Sequence, residues 1–233
     1  MEKKFDNRKA PQITGNLRRH MIELPTAIRD ASGIVIFGKR LKSFVFTTDV
    51  AVIRNTNADA VIAVYPFTPQ PIITEALVLA ADVPVFCGVG GGITTGRRVT
   101  NLALDAEFKG AMGVVVNSPI QNEVIMQIRE TIDIPIIVTV VSEFEDIEAR
   151  INAGATIINV SGARRTAYIV SKIREKHPEF PIIATGGQSN DSIRETIKAG
   201  ANAITYTPPI VAGILNEIMV KYRTIYKTEN NEK

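Results

Sequence analysis

The chain has 233 residues, a formal net charge of +3 and a hydrophobic share of 45%, a composition that suits one large α/β domain or two small ones. No apolar run reaches the eighteen or so residues of a membrane helix, and the polar start MEKKFDNRKAPQ has no secretory h-region. A lone cysteine, Cys87, excludes an internal disulfide and suits a reducing compartment. The expectation is a cytoplasmic protein without membrane or nucleic-acid partners. Much of its excess charge lies in the tails, at Lys3, Lys4, Arg8 and Lys9 and at Lys221, Arg223, Lys227 and Lys233.

Residues 1–32 read as an amino-terminal extension, 33–227 as one domain and 228–233 as a charged tail. The domain opens with an apolar run, Ile34–Phe37, which either caps a barrel floor or pairs with the first strand. Strands then follow at Ser43–Thr47, Ala60–Tyr65, Val85–Gly88, Gly113–Val116, Ile136–Val140, Thr156–Val160, Ile182–Thr185 and Ala203–Thr205. Their cores are apolar on both faces, as in a covered parallel sheet. The segments between them have helical spacing, for example Val124, Ile125, Ile128 and Ile132, or Ile193 and Ile197. Ser142 and Glu145 form a capping box that predicts a helix start.

The punctuation repeats. Pro84, Pro135 and Pro181 open three strands, and Gly110-Ala111, Gly154-Ala155 and Gly200-Ala201 open three others. The two series alternate, which gives a unit of roughly 46 residues, strand–helix–strand–helix. The predicted fold class is α/β, a single (β/α)8 TIM barrel with a parallel eight-stranded core. An open doubly wound sheet is the alternative. In such a barrel the active site sits on the loops at the carboxyl ends of the strands.

Two of those loops are rich in glycine. Residues 181–209, PIIATGGQSNDSIRETIKAGANAITYTPP, run strand, Gly-Gly, helix, Gly-Ala, strand. This stretch resembles the phosphate-gripping end of the phosphate-binding (β/α)8 barrels. That group includes the thiamine-phosphate synthases, the indole-glycerol-phosphate synthases and the histidine-biosynthesis isomerases. The resemblance implies a phosphate held at Gly186, Gly187, Thr205, Tyr206 and Thr207, helped by a helix amino terminus. The chain departs from the group at Pro208-Pro209, which remove two donors. The other loop is in FCGVGGGITTG, residues 86–96. It lacks the third glycine and the ribose-binding acid of a dinucleotide fold, and Arg97-Arg98 stand where a P-loop needs Lys and Ser or Thr. Residues 84–120 read instead as a variant of 181–210, and the histidine-biosynthesis isomerases likewise repeat their grip. This makes Gly90, Gly91 and Gly92 a candidate second anion loop and lid, with Thr94, Thr95, Arg97 and Arg98 beside it.

The candidate chemistry rests on carboxylates. His20 and His177 fall away from the loops, and no ligand cluster has metal spacing. No strand core carries a Schiff-base lysine, and no G-x-S-x-G elbow is present. Asp49 ends the first strand and Glu143 follows the fifth, positions at which the resembling isomerases use an acid–base pair. Each also suits a helix start, Asp49 as a cap and Glu143 as a first-turn acid. Arg164 and Arg165 are candidate anion clamps, and Asn117 and Asn159 can orient a hydroxyl or carbonyl. Cys87 reads as a small buried apolar residue. The expected function is a metal-independent isomerase or lyase of a small phosphorylated metabolite, with no cofactor. A non-catalytic barrel sensing such a metabolite is the alternative, and a homo-oligomer is left open.

Overall fold

The computed structural model describes residues 11–13, 15–16 and 21–231, with side chains to residue 224; His20 lies outside the described residues. Eight strands, β3 (Ser43–Phe46), β4 (Ala60–Ala63), β5 (Val85–Gly90), β6 (Gly113–Val116), β7 (Ile136–Val140), β8 (Ile157–Val160), β9 (Ile182–Thr185) and β10 (Ala203–Tyr206), close into a parallel barrel. The helices are α1 (Val50–Arg54), α2 (Pro71–Ala80), α3 (Arg97–Phe108), α4 (Asn122–Arg129), α5 (Ile147–Ala153), α6 (Thr166–Lys176), α7 (Asn190–Lys198) and α8 (Val211–Asn231). The fold is a (β/α)8 TIM barrel.

The Gly-Ala steps explain why the helices stop where they do. Gly110, Gly154 and Gly200 have φ of +85°, +122° and +114°. The next amides, of Ala111, Ala155 and Ala201, reach back to the carbonyls of Ala106, Arg150 and Thr196. These six-to-one bonds are Schellman stops, and they turn the chain at once into the next strand. Arg174 secures one such corner by donating to the carbonyls of Gly200, His177, Pro178 and Phe180 and to Asn202 Oδ1.

Alternation along each strand separates two cores. Val45, Val61, Cys87, Val114, Val138, Ile158, Ile182 and Ile204 face the helices. Phe44, Ile62, Phe86, Val115, Ile137, Ile157, Ile183 and Ala203 fill the barrel. Phe44 and Phe86 meet edge to face at 5.3 Å. The early apolar run caps the floor: β1 (Ile34–Ile36) pairs antiparallel with β2 (Lys39–Leu41), and Ile34, Ile36 and Leu41 pack into the inner core.

The outer layer also draws on residues ahead of 33. Ile22 bridges Thr56, and Leu24, Ala27 and Ile28 are buried beside Val45. The Ala27 amide donates to Asn190 Oδ1 on α7. By contrast α8 leaves Leu215, Met219 and Tyr222 exposed. One predicted start moves: the helix after β7 begins at Ile147, capped by Asp146 through the Ala149 amide. Ser142 and Glu145 instead close a turn in which Glu145 accepts from the Val141 amide.

Candidate ligand site at the barrel mouth

The uppermost inward positions follow by period two from the filled barrel: Phe46, Val64, Gly88, Asn117, Thr139, Asn159, Thr185 and Thr205. One side of this layer is apolar and the other carries amides and hydroxyls. Thr139 Oγ donates to Asn117 Oδ1 at 3.2 Å and accepts from Asn159 Nδ2 at 3.2 Å. Asn159 Oδ1 and Thr205 Oγ1 are buried with no partner. Their residues are only 8% and 4% exposed, in a setting where buried polar atoms are almost always satisfied. Sequence reading found Asn117, Asn159 and Thr205 but missed Thr139, whose place in the run IIVTV gives no sign that it joins two asparagines.

Above Asn117 lies a cavity of about 270 Å³, lined by Val64, Tyr65, Gly88, Gly90, Gly91 and Thr94 among others. Tyr65 Oη accepts from the Gln70 amide, and Thr94 donates to Thr68 across the two loops. The triple glycine thus lines the mouth, but two of its amides serve the protein. Gly91 N–H donates to Thr94 O and Gly92 N–H to Pro119 O. The expected anion loop is corrected to that extent, because those donors are already taken. Gly91 has φ of +106°, and a Cβ there would lie 2.1 Å from the Asn117 carbonyl oxygen. Glycine at this position is required by close approach to β6.

The loop after β9 differs. Gly187, Gln188 and Thr207 are exposed residues whose amides make no hydrogen bond with the described residues. Gly187 has φ of +80°, and Gly186 is buried where a Cβ would press on Ile204. Helix α7 starts three residues on, with Ser189 capping the Ser192 amide. Free amides and a helix amino terminus at one corner suit an anion.

The carboxylates occupy less central positions. Asp49 is exposed, and its Oδ1 accepts from the amides of Ala51 and Val52, capping α1. Glu143 pairs with Arg165, whose guanidinium lies 5.1 Å from the Tyr168 ring centre. Arg165 is thus engaged in an ion pair on the rim with its side chain 58% exposed, whereas Arg164 is exposed with no ion pair to the described residues. Asp49 and Glu143 share no hydrogen-bond partner among the described residues. Glu143 lines a cavity of about 930 Å³ between the 142–148 turn and α6. That groove starts at the loop after β7 and runs along α6 to His177, and none of the inward-facing residues of the barrel mouth lines it. Cys87 is buried in the outer core, and burial pushes its thiol up to about 12, so it is no nucleophile at neutral pH.

No protein-family model matches the chain, and no curated protein matches its sequence. Solved structures do share its fold. A phosphonopyruvate hydrolase in complex with oxalate and Mg++ aligns at a TM-score of 0.62 and 12% identity, over 87% of each chain. A putative phosphonomutase from Burkholderia cenocepacia J2315 aligns at 0.59 and 15% identity, over 80% of this chain and 92% of that one. The phosphoenolpyruvate phosphomutase from Streptomyces platensis subsp. rosaceus gives 0.59 and 14% identity, over 89% and 86%. At such identities the likeness establishes the fold.

These neighbours correct two expectations. The finer resemblance, to the thiamine-phosphate, indole-glycerol-phosphate and histidine-biosynthesis barrels, is not supported, and what the neighbours share with the chain is the (β/α)8 barrel fold. The expectation of a metal-independent reaction is also withdrawn, since a hydrolase of this fold is seen with Mg++. The described residues do not themselves form a metal cradle: no group of three or more His, Cys, Asp or Glu is placed to hold an ion. The inward layer of the mouth offers only amides and hydroxyls, where magnesium favours carboxylates. We therefore derive no step through a metal.

Proposed function

We propose that this chain is a lyase-type enzyme acting on a small phosphorylated or carboxylate-bearing substrate at the barrel mouth. The supporting observation is the corner formed by the free amides of Gly187, Gln188 and Thr207 beside the start of α7. Oriented amides at a helix amino terminus favour negative charge without needing a cationic side chain. Arg164, on the neighbouring rim, adds a mobile cation. Asn117 and Asn159 orient the rest of the substrate, and the surfaces of Gly90, Gly91 and Gly92 shape the opposite wall. Asp49 supplies proton transfer through Oδ2 while Oδ1 keeps α1 capped. The exposed stripe of Leu215, Met219 and Tyr222 on α8 supports a homo-oligomer.

Titration of 15N-labelled protein with inorganic phosphate tests the anion corner. The expected result is saturable shifts confined to Gly186, Gly187, Gln188 and Thr207. Shifts scattered over surface lysines, or none, would refute it.

A further inference from the structure

The upper layer of the barrel also specifies the other end of the ligand, on the proposed reading that the anion sits after β9 and β10. The Thr139 hydroxyl has one proton, given to Asn117 Oδ1, and it accepts from Asn159 Nδ2. In this arrangement the ladder runs from Asn159 through Thr139 to Asn117. Asn117, on the cavity wall, has its Nδ2 protons left to give, while Asn159 is left with an acceptor, Oδ1, that is buried and unpaired. Thr205 Oγ1 is a second unpaired buried group in the same layer. Leaving such atoms unmet is costly, and valine or leucine would fill the space without that cost. A ligand that meets them accounts for their presence.

The layer also contains no ionisable side chain, only Phe46, Val64, Gly88, Asn117, Thr139, Asn159, Thr185 and Thr205. A charged group placed among them would be desolvated without a counter-ion. The required ligand end is therefore neutral, with an acceptor for Asn117 Nδ2 beside a donor for Asn159 Oδ1. We propose that it is a hydroxy-carbonyl group. Its carbonyl oxygen accepts from Asn117, its hydroxyl donates to Asn159 Oδ1, and the Thr205 hydroxyl bonds the same end.

Dihydroxyacetone phosphate, which joins such a group to a phosphate, is the probe, with inorganic phosphate and neutral dihydroxyacetone as the other arms. By calorimetry, dihydroxyacetone phosphate should bind the wild-type chain at least tenfold tighter than inorganic phosphate. In Asn159→Leu that advantage should fall to about twofold or less while phosphate affinity is kept. Equal affinity of the two in the wild type would overturn the proposal and leave the anion corner standing. If neither binds, the anion corner fails. The ladder is then judged by dihydroxyacetone alone: shifts in the Asn117 and Asn159 side-chain amide resonances uphold it, and none overturns it. Thr205→Val provides a variant that must fold if the hydroxyl is unpaired. Its Tm should rise by about 2–4 °C without ligand, and its dihydroxyacetone phosphate affinity should fall. A lower Tm with unchanged affinity would overturn the role of Thr205.

Discussion

Gly91→Ala and Gly92→Ala, adjacent in one glycine run, should have very different costs. At Gly91 a Cβ would lie 2.1, 2.6 and 2.8 Å from the backbone O, C and N of Asn117, and φ is +106°. None of those atoms can move alone, since the Asn117 amide is bonded to Gly90 O at 2.9 Å as the sheet leaves β5 and β6. A backbone conformation open essentially to glycine costs about 1–3 kcal/mol for alanine. With an immovable contact added, the loss should reach about 3–5 kcal/mol, a range reserved for distinct structural faults. At Gly92 nothing lies within 4 Å of the added Cβ, and φ is +66°, so only the left-handed penalty of about 1–2 kcal/mol applies. The chain has no tryptophan, so urea unfolding followed by far-UV circular dichroism is the assay. Losses within 1 kcal/mol of each other would refute the assignment of Gly91 to close backbone approach.

Asp49→Asn keeps an acceptor for the α1 cap, so it should cost well under 1 kcal/mol while turnover of the true substrate falls about 10² or more; unchanged turnover would leave Asp49 as a cap alone. Arg174→Ala removes the donor shared by the carbonyls around Gly200 and should lose about 2–4 kcal/mol, with Arg174→Lys recovering only part, as read by urea unfolding. Cys87 titrates in the unfolded chain near its ordinary 9.0 and in the native chain at about 12. The unfolded state thus loses its proton first, and stability should decline above pH 9 by up to about 1.4 kcal/mol per pH unit. A pH series of urea melts should show that slope flattened in Cys87→Ala and unchanged below pH 9. Glu143→Gln breaks a rim pair with an exposed arginine and should change stability by about 1 kcal/mol or less.

The barrel was legible because its punctuation is local. A proline before an apolar run and a Gly-Ala pair after a helix each act through their own backbone, so their order in the chain reveals the strand order. The β1–β2 hairpin was less so, since three-residue strands carry too little alternation to choose a partner. In the site, Asn159 and Thr205 stood out as polar residues ending apolar strands. Thr139 did not, because a β-branched residue in IIVTV fits the outer or the inner face equally, and only the register shows which. The Glu143–Arg165 pair joins separate loops, so Glu143 read as a catalytic or first-turn acid and Arg165 as an anion clamp, with no sign that they meet. The glycines at 90–92 gave the clearest signal and the most ambiguous one. A sequence shows that backbone must pass close to something, and here that something is β6 as well as the cavity.

The corner after β9 and β10 is the centre of the proposed site. A crystal structure grown in inorganic phosphate tests it directly. The predicted result is a tetrahedral anion within hydrogen-bond distance of the Gly187 and Thr207 amides, in front of α7. A phosphate bound elsewhere at the mouth with that corner left to water, or side chains filling the corner, would contradict it.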